Sequence, residues 1–253
     1  MLTPGLVSIT FRKLAPVQVI ELVQRAGLKS IEWGGDIHVP HGDLERAKEV
    51  RRQTEAAGLE VAAYGSYYRL GKSAHEGLEF TDVLNSAVAL GASRIRVWAG
   101  AKPSAEADEA YRSEIASEAI RIAGQAAAAG VGIAYEYHAN TLTDTNESAQ
   151  ELLDRTDHPN ITTLWQPPGD QSAEYCLEGL KAVLPRISNV HVFDWWPTNK
   201  DRNLLEAGTE RWKPYLDTIR STGRDHHLLI EFVKDDDPEN FLADAATLRR
   251  WIA

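Results

Sequence analysis

A repeated pattern of helix end, glycine and short apolar strand constrains the fold of this chain more than any other feature. It occurs five times across the 253 residues, with the glycine at Gly27, Gly58, Gly91, Gly130 and Gly223. A glycine just after a helix can adopt the left-handed conformation that turns the chain back into a strand. The first four glycines are spaced by about 30 to 40 residues, which is typical of a strand-plus-helix unit. The repeat therefore predicts alternating α/β structure.

Short apolar segments predict eight strands, and a helical pattern follows each of them. The strands are predicted at residues 6–10, 30–33, 60–65, 94–99, 132–137, 161–166, 187–193 and 227–233. Eight such units in about 250 residues are typical of a closed parallel (β/α)8 barrel. An open doubly wound sheet is the alternative, but no Gly-x-Gly-x-x-Gly loop follows the first strand. No linker divides the chain, so we expect residues 1–253 to form a single barrel domain.

Charge, cysteine content and hydropathy argue against several classes of protein. The formal net charge of −10 disfavours a protein that neutralises nucleic-acid phosphates. The single cysteine, Cys176, excludes an intramolecular disulfide and suits a reducing compartment. The sequence has neither a signal-peptide pattern nor the apolar run of about 20 residues that a membrane span requires. We therefore expect a cytoplasmic protein with no membrane or nucleic-acid partner.

Metal-capable side chains stand at the ends of strands five to eight. They are Glu136, Gln166, His191 and Glu231, each on a different strand. Closure of a barrel would bring the four to one rim, where barrel enzymes keep their sites. Two carboxylates, an imidazole and an amide oxygen suit Mn²⁺, Mg²⁺, Co²⁺ or Zn²⁺. A buried ion pair with lysine or arginine is the alternative for the glutamates, and an orienting role outside the metal's ligands is the alternative for Gln166.

Three strand-end motifs resemble a known family. They are Tyr-Glu-Tyr-His at 135–138, Asn-Val-His-Val-Phe-Asp-Trp at 189–195 and Leu-Ile-Glu-Phe at 229–232. With the repeat, they are similar to the sugar phosphate isomerase/epimerase family of xylose isomerase-like TIM barrels. The resemblance implies one divalent metal at the C-terminal mouth, held by Glu136, His191 and Glu231. It also implies that the two glutamates exchange protons with the substrate.

Strand six departs from this family pattern. The family usually has an aspartate there, followed shortly by a histidine, whereas this chain has Gln166-Pro167-Pro168-Gly169-Asp170. A glutamine can still ligate through its carbonyl oxygen, but it removes a negative charge and makes a bound metal a stronger Lewis acid. The missing histidine removes a substrate contact, so the departure bears on the reaction rather than on the fold.

Five further side chains are candidates for substrate binding. His138 lies two residues beyond the strand-five glutamate and shares its face, although it could instead stiffen the following loop. His38 lies in a long loop on the C-terminal face of the barrel, where the site is predicted. Trp98 and Trp195 fall at strand ends, where aromatic walls stack on sugar rings. Arg202 lies in the loop after strand seven, where the resemblance implies a substrate-binding arginine.

The resemblance implies an isomerase or epimerase of a sugar or related polyhydroxy carbonyl compound, acting through a metal-stabilised enediolate. The same site could serve a lyase or dehydratase of an oxidised sugar, inosose or keto-glycoside. A metal-free sugar-binding barrel is a further alternative, because Gln166 weakens the ligand set. A DNA-repair endonuclease on this barrel is disfavoured by the net charge and by the few histidines at strand ends. The resemblance also implies a homo-oligomer, a dimer or tetramer, although no interface is visible in the sequence.

Overall fold

The computed structural model describes residues 1–253, and its eight main strands close into a parallel barrel. The strands are β1 (Leu2–Val7), β2 (Ser30–Gly34), β3 (Glu60–Arg69), β4 (Arg94–Trp98), β5 (Gly132–Glu136), β6 (Ile161–Trp165), β7 (Ile187–Val192) and β8 (His226–Ile230). Each strand pairs with its neighbours in the chain, and β1 closes the barrel by pairing with β8. The predicted (β/α)8 fold is confirmed.

Eight helices surround the barrel, one after each strand. They are α1 (Pro16–Arg25), α2 (Leu44–Ala56), α3 (Phe80–Leu90), α4 (Glu109–Ala128), α5 (Asn146–Arg155), α6 (Ala173–Val183), α7 (Thr209–Arg220) and α8 (Pro238–Ile252). Side-chain caps start several of them; Asp43 accepts the N–H of Arg46 at 3.0 Å, for example. All five glycines of the repeat have positive φ, between 64° and 76°, as the turn from helix to strand requires.

The first strand begins and ends earlier than the sequence predicts. It covers Leu2–Val7 rather than residues 6–10, and Ser8–Phe11 forms a 3₁₀ turn. All four residues of that turn are buried at the barrel mouth. Their apolar pattern is therefore that of a buried turn, which hydrophobicity alone cannot distinguish from a strand.

The connections after the strands build the C-terminal mouth, and the loop after β7 carries a small ribbon. In it Asp194–Trp195 pairs in antiparallel fashion with Arg202–Asn203. The connections before β2, β3, β4, β5 and β8 are short glycine turns. The long loops thus lie over the mouth at which the metal-capable side chains end. None of the helices combines the length and apolar character that crossing a membrane requires.

Candidate functional site

Three of the predicted ligands converge at the C-terminal mouth of the barrel. Glu136 ends β5, His191 lies near the end of β7, and Glu231 directly follows β8. One ligand atom from each lies within 4.8 Å of the others, and all three side chains are buried. Nδ1 of His191 is 3.3 Å from Oε2 of Glu231 and 3.9 Å from Oε1 of Glu136. This oxygen and nitrogen set fits a divalent metal.

Gln166 lies beside the same histidine nitrogen. Its Oε1 is 3.0 Å from Nδ1 of His191, and its Nε2 donates to the carbonyl of Tyr137 at 2.6 Å. The carbonyl of Tyr137 therefore orients the amide so that its oxygen faces Nδ1 of His191. The position is compatible with a fourth oxygen ligand, which stays a prediction.

Two charged residues that the sequence analysis did not select complete the buried cluster. Glu32 in β2 is fully buried and Arg96 in β4 is 2% exposed. Nε of Arg96 donates to Oε1 of Glu32 at 2.7 Å, and its Nη1 donates to Oε2 of Glu136 in a short contact. The signal that could have identified them is a charged side chain inside an apolar strand, since such a residue is rarely buried without a partner.

Gly65 in β3 makes room for this ion pair. A Cβ atom at this position would lie 2.7 Å from Nη2 of Arg96 and 2.8 Å from Oε1 of Glu32. Both distances are shorter than van der Waals contact allows. The cluster therefore requires a residue without a side chain at position 65.

Glu32 also determines how the imidazole is oriented. Nε2 of His191 lies 3.3 Å from Oε2 of Glu32. When Nε2–H donates to this carboxylate, Nδ1 presents its lone pair to Glu136 and Glu231, as a metal ligand must. Burial opposes the charged imidazole, but the carboxylates of Glu231 and Glu32 outweigh it and raise the pKa of His191 to about 10. A metal at this site would displace that proton.

The charges of the cluster also fit a dication. Burial would raise the pKa of Glu32, but the charges of Arg96 and His191 hold it below its ordinary value. With a neutral imidazole, the three carboxylates of Glu32, Glu136 and Glu231 face one guanidinium. Two negative charges then remain, which is the charge that a divalent metal neutralises.

A cavity of about 830 Å³ opens beside this cluster. It lies among the loops that follow β5, β6 and β7, and Gln166 connects it to the cluster. Its walls are partly aromatic, which suits a small polar ligand with an apolar face. The residues that the sequence analysis placed near substrate and that line it are His138 and Trp195.

Trp98 and His138 form one wall beside Glu136. The indole Nε1 of Trp98 donates to Oε2 of Glu136 in a short contact, and its ring stacks on His138 at 4.2 Å and 25°. The guanidinium of Arg69 lies 4.2 Å from the same indole ring. Trp98 therefore holds the glutamate in position, and His138 carries the stack into the cavity.

Trp195 and Arg202 lie together at the rim. Trp195 stacks on Phe193 with ring centroids 4.1 Å apart, and the guanidinium of Arg202 is 5.5 Å from the Trp195 ring. Asp236 pairs with Arg202 at 2.8 Å. The arginine is thus held beside the aromatic wall, and its contact with substrate stays a prediction.

His38 lies in the long loop after β2, as predicted, but its side chain is turned into the protein. It is 2% exposed, and its ring nitrogens lie 2.9 Å from the hydroxyl of Ser8 and 3.1 Å from the carbonyl of Leu14. Both nitrogens are therefore used inside the protein, and His38 does not line the cavity. The geometry gives it a structural role, tying its loop to the turn after β1.

The chain matches a family model and a curated relative in sequence. A sequence model of the family described as xylose isomerase-like TIM barrel matches residues 20–251. The 3-dehydroshikimate dehydratase of Bacillus anthracis is 27% identical over 206 residues, which cover 74% of this chain and 70% of that protein.

Solved structures share the fold at low sequence identity. The probable 3-DHS dehydratase AsbF of Bacillus anthracis gives a TM-score of 0.82 at 20% identity, over 98% of this chain and 99% of that one. A D-psicose 3-epimerase solved with D-fructose gives 0.77 at 15% identity, over 98% and 97%. A Mycobacterium smegmatis barrel solved in complex with magnesium gives 0.74 at 14% identity, over 99% and 96%. At these identities, the similarity establishes a common fold.

Proposed function

The chain belongs to the xylose isomerase-like TIM barrel family, and we propose that it is a metal-dependent enzyme that removes a proton next to a carbonyl group of a small polyhydroxylated compound. The observation that carries the proposal is the buried group of Glu136, His191 and Glu231 beside a cavity of about 830 Å³. A divalent cation held by these three residues would stabilise negative charge that develops on the substrate oxygens.

The two glutamates differ in how firmly they are held. Oε2 of Glu136 accepts hydrogen bonds from Arg96 and Trp98, whereas the one polar pair that the Glu231 side chain makes is with His191. The carboxylate of Glu231 is therefore held less firmly and can shift towards the substrate when it accepts a proton. We assign it the removal of the substrate proton, and we assign Glu136 the delivery of a proton at the second position.

Elimination of water is the first candidate for the overall reaction. One glutamate takes the proton next to the carbonyl. The other, which is protonated before this step, gives its proton to a hydroxyl on the adjacent carbon, which leaves as water, and the first glutamate then passes its proton on to restore the pair. Support comes from the sequence similarity to a 3-dehydroshikimate dehydratase and from the TM-score of 0.82 with a probable enzyme of that kind.

Isomerisation or epimerisation is the second candidate, because it needs the same two carboxylates. The proton taken by one glutamate would return to the neighbouring carbon or to the opposite face of the same carbon. The TM-score of 0.77 with a D-psicose 3-epimerase favours this alternative. Both reactions share the initial proton removal, so Glu231 and Glu136 are required in either case.

Parallel incubations distinguish the two candidates. Protein loaded with Mn²⁺ or Mg²⁺ is mixed in D₂O with 3-dehydroshikimate or with a ketohexose, and the products are analysed by mass spectrometry and NMR. Loss of water supports elimination, and deuterium incorporation without loss supports isomerisation. Glu231→Gln should lower either rate by at least about 100-fold. Glu55→Gln, on the outer helix α2, is the control and should keep the full rate. If the protein binds the ligand tightly but neither turns it over nor responds to a chelator, the proposal is contradicted. The chain would then be a sugar-binding barrel without enzymatic activity.

A further inference from the structure

A second cavity lies at the N-terminal mouth of the barrel, opposite the catalytic face. Its volume is about 600 Å³, and residues at the starts of β4, β7 and β8 contribute to its walls. The basic residues that line it are Arg94, Arg224, His226 and His227, and the one acid is Asp225. Two guanidinium groups and one carboxylate therefore line this cavity, in a chain whose net charge is −10.

Arg94 lines this cavity and has no partner for its side chain in the protein. It begins β4 and is partly buried, yet its guanidinium donates no hydrogen bond and pairs with no carboxylate. Burial lowers the pKa of Arg94, and no neighbouring charge offsets this effect. Gly132 lies beside it, where a Cβ atom would be 3.2 Å from Nη1. The half-buried guanidinium keeps its five N–H donors free for an anion that enters the cavity.

Arg224 contributes a second guanidinium from the turn before β8. Nη1 donates to the carbonyl of Pro185 at 3.1 Å, and Nη2 donates to the carbonyl of Leu184 at 2.5 Å. These carbonyls orient the group but do not neutralise its charge. Arg224, like Arg94, has no carboxylate partner in the structure.

Neither of the two nearby acids pairs with an arginine of the cavity. Asp225 pairs with the amino group of Met1, and its side chain is 83% exposed. Glu60 lies 3.9 Å from His227 and is also exposed. Burial lowers the pKa of both His226 and His227, so these imidazoles add no charge near pH 7. The ring nitrogens of His226 already bond to the carbonyl of Ser188 and the hydroxyl of Thr222.

We propose that this N-terminal cavity, lined by Arg94 and Arg224, binds a small anion that carries a phosphate or carboxylate group. A planar guanidinium can hold two oxygens of such a group at once. Neither Arg94 nor Arg224 pairs with a carboxylate of the protein. The site lies at the mouth opposite the glutamate pair. It therefore goes beyond the proposed reaction and does not depend on it.

Calorimetric titration of metal-free protein with inorganic phosphate, at constant ionic strength, tests the site. We expect saturable binding with a Kd of about 1 mM, and at least tenfold weaker binding for Arg94→Gln. Arg94→Lys keeps the charge but loses the planar fork, so its affinity should fall between the two. A parallel titration with malonate shows whether phosphate or carboxylate is preferred, and saturable binding of either anion supports the proposal.

Two control variants and one fallback variant keep the test specific. Arg52→Gln removes an exposed guanidinium that pairs with Glu49 on α2, and it should leave phosphate binding unchanged. Arg202→Gln should also leave it unchanged, because Arg202 lies at the catalytic mouth. If Arg94→Gln does not fold, Arg224→Gln replaces it and should weaken binding severalfold. Absence of saturable binding, equal binding by Arg94→Gln, or loss of binding in Arg202→Gln would overturn the proposal.

Discussion

Glu32 links two parts of the site through its two carboxylate oxygens. Oε1 accepts a hydrogen bond from Arg96, and Oε2 lies 3.3 Å from Nε2 of His191. The first contact fixes the guanidinium that holds Glu136. The second selects the imidazole tautomer whose Nδ1 can bind a metal. A single residue outside the proposed ligand set therefore positions two members of it.

Glu32→Gln should weaken Mn²⁺ binding by about 10- to 100-fold, because a neutral amide polarises the imidazole less than a carboxylate does. Calorimetric titration of the metal-free protein measures the effect. Asp244→Asn is the matched control, since Asp244 is also a buried acid but lies outside the site. Unchanged affinity in Glu32→Gln would remove Glu32 from the description of the metal site.

Gln166→Asp tests whether the amide oxygen is a ligand. If it is, the added negative charge should tighten Mn²⁺ binding by about tenfold or more. Gln150→Asp provides a control, because the Gln150 amide donates to a backbone carbonyl within α5, outside the cluster. An unchanged Kd in Gln166→Asp would place Gln166 outside the metal's ligands.

Gly65→Ala should destabilise the protein by about 1–3 kcal/mol, because the new methyl group would overlap the Arg96–Glu32 pair. It should also lower turnover, since Arg96 holds Glu136. Urea denaturation and a rate assay measure the two effects. The contrasting variant is Gly124→Ala in α4, where an added Cβ has no neighbour within 4 Å. That substitution should stabilise the protein by about 0.5–1 kcal/mol; equal effects of the two variants would contradict this account of Gly65.

At the scale of elements, helix α8 is joined to the segment after β7 through a buried acid. Asp244 in α8 is 2% exposed and accepts the N–H of Leu205 at 2.7 Å. Burial is the main cause that raises the pKa of Asp244 to about 7; the N–H of Leu205 opposes it and the charge of Asp194 reinforces it. The folded protein therefore retains a proton that the unfolded chain releases near pH ~4.

The contribution of Asp244 to stability should be fully present below pH ~4 and be lost as the pH rises to about 7. Asp244→Asn keeps an oxygen for Leu205 but cannot ionise. Relative to the wild type, this variant should gain roughly 1–3 kcal/mol of unfolding free energy between pH 4 and pH 8. Denaturant titrations of both proteins at the two pH values measure the difference, and a difference that does not vary with pH would refute the assignment.

At the scale of the whole molecule, the metal ligands tie together strands that are distant in the chain. Glu136 ends β5, His191 lies in β7, and Glu231 follows β8, the strand that closes the barrel against β1. A ligand that binds only the closed barrel stabilises the folded state by an amount that rises with the logarithm of its concentration above Kd. Metal binding should therefore be detectable as global stability, independently of any substrate.

Mn²⁺ at 100 times its Kd should stabilise the protein by about 2.7 kcal/mol and raise its Tm by about 5–10 °C. Addition of EDTA should reverse the shift. His191→Ala should show no shift with Mn²⁺, because it loses the nitrogen ligand, while Gly124→Ala should respond as the wild type does. Differential scanning fluorimetry measures these responses, and a full Mn²⁺ shift in His191→Ala would contradict the proposed ligand set.

Local patterns were sufficient to predict the architecture. The five glycines of the repeat have the left-handed φ that their positions after helices indicated, and the strands follow them. Leu2–Val7 is the main exception, because burial of the following turn extended the apolar pattern beyond the strand. Helix and strand positions depend on neighbours in sequence, and so they can be read without the fold.

The sequence by itself determined the barrel and the placement of Glu136, His191 and Glu231 at strand ends that share one rim. Only the tertiary structure decided that Glu32 and Arg96 join them and that His38 does not. Strand order determines which rim a residue reaches, whereas a hydrogen bond or ion pair depends on side chains that lie far apart in the chain. Arg96 and Glu32 are 64 residues apart, and no local pattern relates them. Arg94 and Arg96 differ for the same reason, since ion pairs depend on side chains that are distant in the chain. Arg94 has no acid beside it, whereas two glutamates neutralise Arg96.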